Sequence, residues 1–234
     1  MNYELLHKYY YSAEEIDQLY NMQFEQLSPE WLNKLKKQLE DKYGIRLIAV
    51  EHKKDRNQVW LYVFDLQDRK KLKENFGICI GGIKSWELAL FDLCPPDADV
   101  NKDTEFYVAL NMFTFDAVHT LKHDHSQMIH DIVNDAIKDY KVYELNCESR
   151  VEIIFDTKEE ARRFLLSGIR PALIHSCYMK LKPYDKYNVL EERNISIFVE
   201  YYEHYVNTNM WGRWVEDMNS DDVAAYENEI LNGT

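Results

Sequence analysis

The chain has 234 residues, 46% of them apolar and 14% aromatic, a folding composition with enough material for a sizeable core. It carries 41 acidic against 28 basic residues, a net charge of −13. This argues against a broad phosphate-binding surface, because nucleic-acid binders draw most of their affinity from clustered Lys and Arg. No direct nucleic-acid partner is therefore expected. The four cysteines, Cys79, Cys94, Cys147 and Cys177, form no CxxC pair. That excludes a zinc knuckle and a thioredoxin-like redox site, and predicts free thiols in a reducing compartment. The opening MNYELLHKYYYSAEE lacks the basic start and continuous apolar core of a signal peptide. No run approaches the ~18 apolar residues that a membrane span needs. The expectation is a cytoplasmic protein with no membrane partner.

Ser12-Ala-Glu-Glu15 is a capping-box pattern and predicts a helix from about Ala13 to Gln26. Ser28-Pro29 predicts the start of a second helix, with Ser as N-cap and Pro in the first turn. There Trp31, Leu35 and Leu39 share a face, and Gly44 is placed to end the helix. The runs Ile45–Glu51 and Val59–Asp65 read as a hairpin around a polar turn. Asp68 is expected to cap a short basic helix that stops at Gly77. Beyond it come a short strand at Ile78-Cys79-Ile80, a Gly81-Gly82 turn, and an apolar helix from Ser85 to Leu93 ended by Pro95-Pro96.

Phe106 to Phe113 is strand-like. Asp124 with Gln127 predicts the start of a helix whose stripe is Met128, Ile129, Ile132, Val133, Ala136 and Ile137. Val142–Leu145 and Val151–Phe155 read as neighbouring strands. Asp156-Thr157 caps a helix from Lys158 to Leu166 closed by Gly168, and Pro171–Met179 reads as a returning strand. That strand–helix–strand run resembles half of a ferredoxin-like sandwich. A polar stretch precedes a last strand at Ile195–Val206, and Ser220-Asp221-Asp222 opens a final helix.

The fold class these elements predict is α+β. Two N-terminal helices lead into a mainly antiparallel sheet with helices packed on one face, and the second half holds the ferredoxin-like βαβ element. The chain reads as a single α+β domain over 1–234, its one candidate break lying near 184–194.

Three groups of residues could carry chemistry. In the first, Gly81-Gly82 is followed, after fourteen residues, by Asp97-Ala98-Asp99. A glycine turn lets backbone amides approach a triphosphate. Two carboxylates at i and i+2 on a strand point the same way and could hold Mg²⁺. Over about 20 residues this resembles the nucleotidyltransferases of the polymerase-β-like superfamily, although Ile83 and Lys84 stand where that family carries Ser or Thr. The resemblance implies Asp97, Asp99 and a later carboxylate, Glu152, as catalytic residues. Gly81 and Gly82 would then bind the nucleotide, with Mg²⁺ as cofactor. The second group is His119, His123, His125 and His130. If one helix ran through His119 and His123 they would share a face, as an HxxxH zinc pair does, with His130 as a further ligand. No Glu or Cys completes that set, so the structural reading of the histidines outweighs the metal one.

The third group lies near the C-terminus, where Asp185–Thr234 carries eleven acidic and three basic residues. Tyr201, Tyr202, Tyr205, Trp211 and Trp214 are interleaved there with Glu203 and Glu216. On an alternating strand Ile197, Val199, Tyr201 and Tyr205 cannot all share the core with Phe198 and Tyr202, so some aromatic surface is left outside. Exposed aromatics ringed by acid serve protein interfaces with basic partners, the rings as anchors and the acids for steering. This group carries the favoured expectation: a small acidic cytosolic binding or inhibitor protein, without cofactor, that neutralises a basic protein partner. Immunity proteins and anti-defence inhibitors share that profile of composition. The Mg²⁺-dependent nucleotidyltransferase is the alternative, so the sequence leaves open whether the chain is an enzyme.

Overall fold

The computed structural model describes residues 3–8, 10–78, 83–84, 91–109, 112–148, 150–209 and 220–232. The chain is mixed helix and strand, α+β as the pattern predicts, and divides into two compact units, Met1–Thr120 and Leu121–Thr234.

In the first unit α1 (Ala13–Met22) starts on the predicted capping box, Ser12 accepting from the Glu15 amide while Glu15 accepts from the Ser12 amide. In α2 (Glu30–Tyr43) the residue at the N-cap is Pro29, one position later than expected. Its left-handed C-cap is Gly44, at φ +61°. Trp31, Leu32, Leu35 and Leu39 are buried on one face of α2. Strands β1 (Leu47–Lys53) and β2 (Gln58–Val63) form the expected antiparallel hairpin, with Asn57 in the left-handed region at its turn. In α3 (Leu66–Phe76) the N-cap is Asp65. Asp68 lies one turn inside, 1% exposed, where it accepts from the Arg46 amide at 3.0 Å instead of capping.

The remaining strands of this sheet are the short β3 (Ile83–Lys84) and β4 (Glu105–Val108), giving the order β1-β2-β4-β3. The pairing of β2 with β4 is parallel and the other two are antiparallel. Val50, Val59, Leu61, Phe106 and Val108 face α2 and α3 in one apolar core. The opposite face carries Trp60, Tyr62 and Tyr107, and α1 packs along β1. The strand expected to run to Phe113 ends at Val108. Phe113 instead opens α4 (Phe113–Asp124), stacking on Phe64. The division between units falls within α4.

In the second unit α5 (Ser126–Ile137) buries Ile129, Val133 and Ile137. Asp124, expected at its N-cap, is the last residue of α4, and His125 holds the cap position. The sheet here is β5 (Val142–Asn146), β6 (Val151–Phe155) and β7 (Ile197–Tyr201), with β5/β6 antiparallel and β6/β7 parallel. Thr157 caps α6 (Lys158–Ser167) as expected.

The strand expected at Pro171–Met179 is a helix, α7 (Ile169–Leu181). Leu173, Cys177 and Leu181 form a buried stripe at i, i+4 and i+8, and Pro171 sits in the first turn, where its missing N–H is no loss. Gly168, at φ +70°, ends α6 and turns the chain into α7; without that left-handed corner the two helices would run on as one. The parallel crossover from β6 to β7 therefore passes through two helices, and the returning strand is Ile197–Tyr201. That strand ends five residues short of the expected Val206. Tyr202 opens α8 (Tyr202–Asn209), where His204 Nδ1 lies 3.0 Å from Glu200 Oε1 across one turn. The final helix, α9 (Ser220–Asn232), is present as expected, with Ser220 as its first residue.

Candidate interaction face

The site begins with an irregularity in β5. Val142 pairs with Phe155, but Glu144 pairs with Ile154, so two residues of β5 advance the ladder by only one on β6. Tyr143 is the extra residue of a β-bulge, a device that re-aims side chains. On a regular strand Val142 and Glu144 would share a face. With the bulge, Val142 stays with Phe155 on the side that packs on Phe164 of α6. Glu144 moves to the opposite side, with Ile154 and its face-mates Glu152, Phe198 and Glu200.

Helix α8 lies on that opposite side, where its Tyr205 hydroxyl feels Glu144, Glu152 and Glu200 and its His204 meets Glu200. Tyr202 of α8 meets Tyr143 with ring centroids 4.5 Å apart and planes tilted by 52°. Both rings face outward, Tyr143 at 53% and Tyr202 at 42% exposure. Glu144 and Glu203 beside them are exposed. Deeper on the face, Glu152 and Glu200 are buried at 8% and 6%. Burial pushes the Glu152 carboxyl above its ordinary pKa. Arg150, 3.5 Å away, opposes the shift, and Glu200 and Glu144 add to it. The Tyr205 hydroxyl is likewise raised, first by burial and then by Glu144, Glu152 and Glu200. The face is thus an aromatic surface in a negative field, with its charge converging from three strands and one helix.

Of the expected partner-binding residues, Tyr202, Glu203 and Tyr205 come together on α8. Tyr201 does not join them. It pairs with Phe155 on the other side of the sheet, where Lys158 of α6 lies over its ring at 6.0 Å. Trp211, Trp214 and Glu216 lie outside the described residues. Tyr143 and Glu144 lie outside the set that the sequence predicts, although the sequence carries a signal for them. Val142 and Leu145 are apolar but three apart, an odd spacing that a period-two strand accommodates only with an extra residue.

Asp97 and Asp99 are not on a strand; they occupy the irregular segment that precedes β4. Their carboxylates are held by different lysines, Asp97 by Lys34 at 3.2 Å and Asp99 by Lys54 at 2.6 Å. Glu152 belongs to the second unit, and Gly81 and Gly82 lie outside the described residues. A single helix, α4, does run through His119 and His123. The His119 ring sits 5.5 Å from that of Tyr10, His123 is paired with Asp124 and His130 with Asp131. Among the described residues no group of three or more His, Cys, Asp or Glu side chains could hold a metal ion.

Cys94, Cys147 and Cys177 form no disulfide, and Cys79 lies outside the described residues. Burial lifts the Cys94 and Cys147 thiols to about 12 and that of Cys177 to about 11, so none offers a thiolate at neutral pH. No helix among the described residues is long and apolar enough to cross a membrane. No protein-family model, curated protein or solved structure matches the chain.

Proposed function

We propose that this chain is a small acidic binding protein that neutralises a basic protein partner, in the manner of immunity proteins and anti-defence inhibitors, and that the partner docks on the α8 face. The observation that carries this reading is the outward-facing Tyr143–Tyr202 pair set among Glu144, Glu203 and the buried Glu152 and Glu200. Exposed tyrosines supply contact area at small entropic cost, and surrounding acids steer a cationic partner and reject acidic ones.

The test is affinity capture from the cell that makes the protein, run in parallel with a Tyr143→Ala/Tyr202→Ala double variant. The wild type should retain a basic protein. The double variant, with unchanged thermal stability because both rings are exposed, should bind it about tenfold more weakly or worse. Equal retention by both proteins, or retention of an acidic partner, would overturn the reading.

A further inference from the structure

The face already contains a worked pattern for holding a guanidinium. Arg150 lies over the Phe198 ring at 5.2 Å while its NH2 group reaches Glu152 at 3.5 Å, so one cation is shared between a ring and a carboxylate. Neighbouring residues repeat the ring and the acid. Among the described residues no Lys or Arg lies over Tyr143 or Tyr202, and none pairs with Glu144 or Glu203. We infer that Tyr143, Tyr202 and Glu144 form a receptor for one arginine side chain of the basic partner. The inference rests on the binding role proposed above and names the group that is recognised.

The geometry limits how the arginine sits. A planar group between two rings needs about 7 Å between ring centroids, two carbon contact distances of ~3.5 Å. The rings here are 4.5 Å apart. The guanidinium therefore stacks on the outward side of the tilted pair, where it meets one ring face and one ring edge. Arginine suits this position better than lysine. It is flat, weakly hydrated, stacks on aromatic faces, and can present two parallel N–H groups to the Glu144 carboxylate. The bulge at Tyr143 has a direct role here, since a regular strand would place Glu144 on the side away from Tyr202.

The experiment is an NMR titration of the full chain with three blocked tripeptides, acetyl-Gly-X-Gly-amide with X as arginine, lysine or citrulline. Citrulline keeps the shape of arginine without its charge. The arginine peptide should shift the Tyr143 and Tyr202 ring resonances saturably, at millimolar concentration. It should bind about two- to fivefold more weakly to Tyr143→Ala, Tyr202→Ala and Glu144→Gln, a range set by the strength of a cation–π contact at an exposed site. Lysine should bind more weakly than arginine, and citrulline should not bind.

Equal response to arginine and citrulline, or to arginine and lysine, would overturn the receptor. So would an arginine affinity that is unchanged in both Tyr143→Ala and Tyr202→Ala. These outcomes are separable from the partner question. A captured basic protein that still needs the α8 face while the arginine peptide fails removes only the arginine receptor. Arginine binding that persists when no basic protein is captured removes only the neutralising role.

Discussion

Asp116 on α4 is 8% exposed and borders a cavity of about 20 Å³ lined by Leu6, Tyr11, Leu19, Ile48, Tyr62, Val63 and Phe113. Burial among these side chains, with no compensating charge, raises its pKa from the ordinary carboxylate range to about 7. The folded protein therefore keeps its proton on Asp116 where the unfolded chain has lost it. Stability should fall as pH rises from about 4 to about 7, with the whole cost present above that window. Asp116→Asn removes the charge. The variant should match the wild type at pH 4 and gain roughly 2–4 kcal/mol by pH 8, read from urea unfolding at the two pH values. A constant difference at both would mean that Asp116 does not titrate in this window. Asp68, raised to about 6 by burial, acts with the same sign. Lys36 acts with the opposite sign, and in a higher window. Its ammonium donates to the carbonyls of Gln23 and Ile48, and burial lowers its pKa to about 8, so the cost of its charge is relieved as pH rises past that value.

Among the elements, those legible in the sequence have their signals within one or two turns of chain. The Ser12–Glu15 box, the Thr157 cap and the left-handed glycines at 44, 77 and 168 are local backbone chemistry, and each lies at an observed helix end. The Trp31–Leu35–Leu39 stripe is equally local. The illegible elements are short apolar runs in which strand and helix patterns overlap. Ala172–Met179 can be read as an alternating strand or as one helical stripe, and only packing against α5 and α6 decides for the helix. The α8 helix was hidden because aromatic residues, common in strands, continue past Tyr201. The candidate face was half legible: its α8 residues came from composition, while Tyr143 and Glu144 depended on a bulge.

That bulge has a consequence of its own. Deleting Tyr143 leaves Val142 opposite Phe155 and Glu144 opposite Ile154, now in a regular ladder, so the core face is preserved. Deleting Ile153 from the middle of β6 shifts every residue after it to the other face. The Tyr143 deletion should therefore melt within a few degrees of the wild type, a cost of about 1 kcal/mol. The Ile153 deletion should abolish the cooperative transition of the second unit. If removal of Tyr143 alone unfolds that unit, the bulge is a structural requirement and not a device for aiming side chains.

Over the whole molecule the charge is unevenly laid out. Residues 121–184 carry ten acidic and ten basic side chains, so the acid excess of the second unit arises wholly from Asp185 onward. A basic partner approaching this protein should therefore feel a field directed toward the segment that contains β7, α8 and α9. Such a field acts on encounter more than on the docked complex, and it is screened beyond a Debye length of about 10 Å at 0.1 M salt. The association rate with the partner should fall by about tenfold between 20 mM and 500 mM salt, while the dissociation rate changes by no more than about twofold. Glu144→Lys with Glu203→Lys should flatten the association curve, because these exposed acids stand at the proposed docking face. Replacing two acids of the first unit, Glu40 and Asp41, by Lys makes the same change of net charge without touching this face and should flatten the curve much less. Stopped-flow association at four salt concentrations separates these cases. Equal flattening by both pairs would show that net charge alone steers the partner, and a rate independent of salt would remove the acidic surface from recognition altogether.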